Sequence, residues 1–203
     1  MKDPYFKKVY NQKVLQNLSK RYGPVLYHHL EMSVSTEVML NMVKKMDKKS
    51  PRRGEAVMVI PNLAGQIWLH TKKFYPSGVY RLMTGGLDPG ENPEKALIRE
   101  VFEETGFMAE IDRCLAVVTY ELTNGTGQYP FVSFVFLTKP TDGVPTPTDS
   151  GETIEDFKAV PVEELFETAR QLRQLEGDFA DWGRFRAVTH ELAAQALLLD
   201  HKG

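Results

Sequence analysis

Residues 85–107 constrain this chain more than any other stretch. They read Gly-Gly-Leu-Asp-Pro-Gly-Glu-Asn-Pro-Glu-Lys-Ala-Leu-Ile-Arg-Glu-Val-Phe-Glu-Glu-Thr-Gly-Phe. Asn92 can cap a helix with its side chain, and Pro93 suits the first helical position. Gly106 can supply a left-handed stop. A helix of roughly three and a half turns is therefore expected between a glycine turn and a glycine stop. At about 100° per residue, Leu97, Ile98, Val101 and Phe102 fill one arc. Glu100, Glu103 and Glu104 fill a nearly opposite one as i, i+3 and i+4 neighbours.

Three carboxylates on one helical face repel each other. A solvated acidic face would ordinarily interleave lysines, and this face has none. A divalent cation would relieve the repulsion, and oxygen-only ligands suit Mg²⁺ or Mn²⁺. The glycines before the helix let main chain approach a metal or phosphate closely. Arg99 flanks the acids. It can pair with Glu91 and tie the turn to the helix, or reach Glu103 one turn on.

The surrounding pattern is mixed. Asp3-Pro4 marks a helix start, with Phe6, Val9, Tyr10, Val14 and Leu18 at helical spacing as far as Arg21. A second helix is expected from Ser35 or Thr36 to about Met46, and residues 24–34 between them fit no single pattern. Residues 44–54 form a basic linker that reads as a solvated hinge or, more sharply, as a phosphate- or RNA-contacting patch. Strands follow. Residues 55–61 and 66–72 read as a hairpin about Asn62–Gly65, and residues 79–83 as a short extended lead-in to the glycine turn. Residues 109–122 and 129–137 read as two strands about Thr123–Gly127. Residues 139–151 form a loop, 153–160 a strand, 161–175 a helix and 181–199 a final helix. Strands with a helix among them and helices after them imply a layered α/β or α+β domain.

The acidic stretch resembles the Nudix box, G-x5-E-x7-R-E-U-x-E-E-x-G-U, where U is a bulky apolar residue. Gly85, Glu91, Arg99, Glu100, Val101, Glu103, Glu104, Gly106 and Phe107 occupy every defined position, Phe107 being a loose fit to U. The resemblance implies an α/β/α sandwich on a mixed sheet over residues 54–203, preceded by a helical extension at residues 1–50. It implies a Mg²⁺- or Mn²⁺-dependent hydrolase that breaks the diphosphate bridge of a nucleoside diphosphate linked to another moiety. Glu100 and Glu104 correspond to the principal metal ligands. Glu103 corresponds to a further ligand, and Thr84 or Gly85 to a backbone carbonyl ligand. Glu91 and Arg99 correspond to a brace for the loop. The general base of such enzymes comes from the box, where Glu100 and Glu103 stand, or from a later acidic loop, where Glu152 and Glu155 stand. The segment Tyr80–Gly85 departs from the usual pattern, with Met83 in place of proline and Thr84 in place of a small residue. Gly86–Glu91 is nearer the nucleotide-sugar branch. A nucleotide sensor without catalysis would be expected to lose box carboxylates, and none is missing.

Tyr80 and Arg81 are candidate substrate contacts. Among Trp68, Phe74, Tyr75 and Tyr80, one could stack on a nucleobase, while packing is the ordinary expectation. Cys114 is the only cysteine, so no intrachain disulfide can form, and its apolar strand suggests burial. His70 and His190 show no recognisable partners in the sequence. A formal net charge of -2 gives no global argument for a nucleic-acid partner. No signal peptide and no membrane-length apolar run is evident, so a soluble, cytoplasmic protein is expected. Apolar stripes on the extension suggest docking on the main domain or in a homodimer.

Overall fold

The computed structural model describes residues 3–47, 51–149, 151 and 153–200. Its elements in chain order are α1 (Pro4–Val9), α2 (Gln12–Tyr22), β1 (Leu26–Ser33), α3 (Glu37–Met46), β2 (Gly54–Val59), β3 (Ile67–Lys72) and β4 (Met83–Gly86). There follow α4 (Pro93–Thr105), β5 (Ile111–Thr123), β6 (Gln128–Thr138), β7 (Ile154–Val160), α5 (Glu164–Arg173) and α6 (Ala180–Asp200). A five-stranded sheet runs in the order β1-β5-β6-β2-β4, and β3 and β7 form a separate two-stranded sheet. β1 lies parallel to β5 and β2 parallel to β6, while β5–β6 and β2–β4 are antiparallel. No helix among the described residues is long and apolar enough to cross a membrane.

The large sheet is apolar on both faces because its strands alternate between two helical layers. Ala56 and Met58 of β2, with Phe134 and Phe136 of β6, pack with Leu97 and Val101 of α4. Phe6, Val9 and Leu18 of α1 and α2 join the same cluster. On the other face Tyr120 and Phe131 meet Met39 and Val43 of α3, and Trp182 and Phe185 of α6. The result is the expected α/β/α sandwich on a mixed sheet.

Three local expectations change. The first helix is two, because Asn11 caps a new start by accepting from the Val14 amide at 3.1 Å. The ambiguous residues 24–34 supply β1, an edge strand of the main sheet. The hairpin about Asn62–Gly65 closes only next to its turn, where the Asn62 amide donates to the Gln66 carbonyl, the Trp68 amide donates to the Ile60 carbonyl, and Pro61 bridges Ile67. Beyond that point β2 pairs with β4 and β6 and β3 pairs with β7, both through long-range partners.

The first fifty residues are tied closely to the rest. Arg53 pairs with Asp3 at 2.9 Å. Arg21 pairs with Glu94 at 2.8 Å, and the Tyr22 hydroxyl donates to the same carboxylate. Asp181 of α6 accepts from the Ser35 and Thr36 amides at 2.6 and 2.7 Å. It thus anchors the entry to α3 just ahead of the first turn, where Thr36 itself makes no side-chain cap. Of the two placements expected for the apolar stripes, docking on the main domain is seen: Phe6, Val9, Leu18, Met39 and Val43 pack on this chain's own strands and helices. Residues 48–50 of the basic linker lie outside the described residues.

Candidate active site

Helix α4 begins and ends as its sequence demands. Asn92 accepts from the Glu94 and Lys95 amides at 2.8 and 3.2 Å, and Gly106 takes φ 72° at the stop. Its buried face differs from the one expected. Leu97 and Val101 are buried, but Ile98 and Phe102 are exposed. Glu100 and Glu104 take their place on the buried face, at 7% and 1% exposure. Two acids one turn apart are thus held against the sheet, while Glu103 is half-buried at the rim.

Buried carboxylates demand partners, and two cations provide them. The Arg99 guanidinium spans the site. Nε and Nη2 donate to the two Glu91 oxygens at 3.1 and 3.0 Å, and Nη2 also reaches the Gly86 carbonyl at 3.2 Å. Nη1 lies between Glu100 at 2.8 Å and Glu103 at 3.1 Å. Glu91 also accepts from the Asp88 amide at 2.9 Å. Burial would raise the Glu91 carboxyl, but Arg99 and that amide outweigh it and hold it below the usual range. At Glu100 burial prevails over the Arg99 bond and pushes the carboxyl up. Glu104 pairs with Lys72 Nζ at 3.0 Å, and buried His70 sits with Nδ1 3.8 Å from its other oxygen. Arg99 therefore meets both expectations for it, the turn and Glu103.

Gly85 explains why β4 must carry glycine. A Cβ there would lie 2.0 Å from Cγ of Glu100. The main chain of β4 and the carboxylate arm of α4 touch, which places Thr84 and Gly85 beside the acids. Among the described residues, no three acidic, histidine or cysteine side chains converge to hold a metal ion. Arg99 and Lys72 divide the carboxylates between them. The donor set nevertheless suits a hard divalent cation: it is carboxylate oxygen only, and Arg99 Nη1 already sets a positive charge between Glu100 and Glu103.

The remaining candidates are dispersed. Glu155 is exposed on β7, and Glu152 lies outside the described residues. Tyr80 donates to Asp156 at 2.6 Å. Arg81 is buried, with Nη1 on the Leu82 carbonyl at 2.6 Å and Thr84 at 3.1 Å, and Nε on the Tyr75 hydroxyl at 2.8 Å. Cys114 is buried, and burial pushes its thiol up to about 12.

A cleft of about 690 Å³ opens beside these groups, and Lys72, Thr84 and Gly86 line it. Its floor carries Arg81 and Arg186, the latter clamped to Glu55 at 2.7 and 2.8 Å. Its walls carry Phe74, Tyr75 and Trp182, and the outward stripe of α3. Sequence reading expected the helix that is α3 but gave no place in the site to it, or to Glu55, Arg186 and Trp182. The helix left a trace, since Val38, Asn41, Met42 and Lys45 recur at i, i+3, i+4 and i+7.

Comparison with known proteins settles the family. The NUDIX domain profile matches residues 51–183. The chain belongs to the NUDIX domain family. An RNA pyrophosphohydrolase of Cereibacter sphaeroides is 36% identical over 76 residues, 36% of this chain and 47% of that protein. One of Pectobacterium atrosepticum is 39% identical over 59 residues, 29% of this chain and 32% of that protein. The chain thus spans less than half the length of these curated relatives. The MutT protein from Methanosarcina mazei Go1 shares the fold, with TM-score 0.50 and 20% identity over 76% of this chain and 99% of that one.

Proposed function

We propose that this Nudix chain is a Mg²⁺- or Mn²⁺-dependent hydrolase of the diphosphate linkage in a nucleoside diphosphate joined to another moiety, nucleotide sugars or ADP-ribose-like compounds being favoured. The observation that carries this reading is the burial of Glu100 and Glu104 against the Gly85 strand, beside a cleft with a cationic floor. Burying two acids costs stability even when they are paired, and acids held in this way beside a cleft mark a functional site. A bound divalent cation would neutralise phosphate oxygens and lower the pKa of water at the attacked phosphorus.

In this reading Glu100 and Glu104 hold the metal, Glu103 adds a further oxygen, and a Thr84 or Gly85 carbonyl completes the set. Arg99 and Glu91 keep the Gly86–Glu91 turn against α4. Lys72 and Arg81 offer positive charge to the diphosphate. The proton acceptor for the attacking water is Glu100 or Glu103 of the box, or Glu152 or Glu155 of the later acidic segment. The partial match to RNA pyrophosphohydrolases favours a second reading, in which the scissile diphosphate stands at the 5′ end of an RNA.

A cleavage panel tests both, read by chromatographic separation of products, because opening the diphosphate bridge yields AMP and ribose 5-phosphate from ADP-ribose, or UMP and glucose 1-phosphate from UDP-glucose, and no free phosphate. It would include ADP-ribose, UDP-glucose, nucleoside triphosphates and a 5′-triphosphorylated RNA, each with Mg²⁺, for the wild type and Glu104→Gln. Loss of a charge-stabilising group at the reaction centre costs on the order of 100-fold or more in kcat. Equal rates would sink the metal assignment, and a panel without turnover would sink the hydrolase reading.

A further inference from the structure

The cleft contains more apolar surface than phosphate chemistry requires, and that surface is organised. Phe74, in the turn after β3, is 60% exposed and lines the cleft mouth. Its ring stands edge-on to Tyr75 with centroids 4.8 Å apart, and Tyr75 lies 4.9 Å from Trp182. Arg81 sits 5.3 Å from the Tyr75 centroid and 5.8 Å from that of Trp182, fixing the row from beneath. Phe74 is thus the outermost member of an aromatic row that starts in the core.

Helix α3 presents the other organised surface. Met39 and Val43 face the core and Met46 reaches both core and cleft, whereas Val38, Asn41, Met42 and Lys45 line the cleft. Val38 and Met42 remain partly exposed there. The helix is pinned at its start by Asp181, so this surface is preset. A single exposed aromatic is ordinary, but one that shares a cleft with an apolar helix stripe forms a patch that invites an occupant.

We propose that Phe74 and the Val38–Met42 stripe of α3 form a slot for the planar base of the substrate, so that the N-terminal segment sets specificity. The inference rests on the reading of the site as a diphosphate-cleaving centre, because the slot is continuous with Lys72, Thr84 and Gly86. A base there is stacked on aromatic and thioether surface, and its phosphates run along the cationic floor toward α4. Stacking is tolerant of base identity because every base has a π-face. Asn41 supplies the amide that could discriminate among base edges, and Lys45 extends the positive lining.

Calorimetric titration of the full chain with Mg²⁺ tests this without requiring turnover. The probes are AMP, UMP and ribose 5-phosphate, which shares their phosphate and sugar but has no base. Both nucleotides should bind roughly tenfold or more tightly than ribose 5-phosphate. Phe74→Ala should abolish most of that advantage, Phe74→Tyr should keep it, and Met42→Ala should reduce it. Ribose 5-phosphate affinity should be unchanged throughout, a result that loss of folding could not mimic. Equal affinity of wild type for nucleotide and sugar phosphate would overturn the slot, as would nucleotide affinities unmoved by both alanine variants. A chain that shows the base preference but hydrolyses nothing in the panel would refute the hydrolase reading and leave the slot standing.

Discussion

His190 offers the sharpest quantitative prediction. Its Nε2 accepts from the Leu82 amide at 2.8 Å, so Nδ1 carries the proton and donates to the Arg186 carbonyl at 2.9 Å. Protonating Nε2 would break the first bond in a buried site. Burial, with Arg81 and Arg186 nearby, lowers the His190 pKa from 6.5 to about 3, although the Arg186 carbonyl opposes the shift. As pH falls through 6.5 the unfolded chain takes up a proton here and the folded chain does not. Stability is therefore present above 6.5 and is lost progressively on acidification toward about 3. Between pH 7.5 and 5.5 the loss from this one residue is about 1.4 kcal/mol, of which roughly a quarter has appeared by pH 6.5. His190→Gln can keep an acceptor for Leu82 but does not titrate. It should start about 1–3 kcal/mol less stable at pH 7.5, through one lost hydrogen bond and imperfect packing. Urea unfolding of both proteins, followed by tryptophan fluorescence at three pH values, gives the difference directly. Other titrating groups cancel in that difference. The gap between the proteins should shrink by about 1.4 kcal/mol from pH 7.5 to 5.5. A constant gap would refute the argument that His190 is held neutral by its two bonds. The stake is functional, because Leu82 leads straight into β4 and its Thr84–Gly85 approach to α4.

Three substitutions probe the rest of the site. Gly85→Ala places a Cβ 2.0 Å from Cγ of Glu100; overpacking of this kind costs about 1–3 kcal/mol, and a thermal melt and a kcat measurement should fall together. Arg99→Lys replaces a planar fork with a single point charge. Because Arg99 is about a third exposed, stability should drop by only about 1–2 kcal/mol, while turnover of the diphosphate substrate falls roughly 10–100-fold, as for other groups that orient metal ligands. Asp181→Ala releases the entry to α3 and should cost about 1.5–3 kcal/mol in urea unfolding; loosening the cleft wall should raise KM more than it lowers kcat.

Much of this architecture was legible where its causes are local. Asn92, Pro93 and Gly106 delimit α4 within the chain's own neighbourhood, and Thr123–Gly127 turns β5 into β6. What escaped reading depends on distant partners. β1 is a largely exposed edge strand whose ladder is supplied by β5, from Leu26 on Ala116 to Ser33 on Thr123. β3 leaves its expected hairpin because β7 offers a full ladder from the other end of the domain. His190 looked isolated because its hydrogen-bond donor, Leu82, lies 108 residues away. Asn11 is a different failure, since a cap residue stood in plain view within a long apolar period.

The acidic helix shows most clearly how local and distant causes divide. Its spacing named the acids, but apolar periodicity assigned Glu100 and Glu104 to the solvent side. They are buried because Arg99 and Lys72 make their burial tolerable and because Gly85 leaves room for Glu100. Periodicity reads the hydrophobic term alone, and that term favours Ile98 and Phe102, which the structure leaves exposed. Leu97 and Val101 anchor α4 on the sheet, and the paired charges decide which flank of that stripe turns inward, Glu100 and Glu104 or Ile98 and Phe102. Those same charges are the ones a divalent cation would have to displace. Metal binding and the docking of α4 on β4 therefore draw on one set of contacts, so a variant that frees the carboxylates by removing Arg99 should lose the helix's placement in the same step.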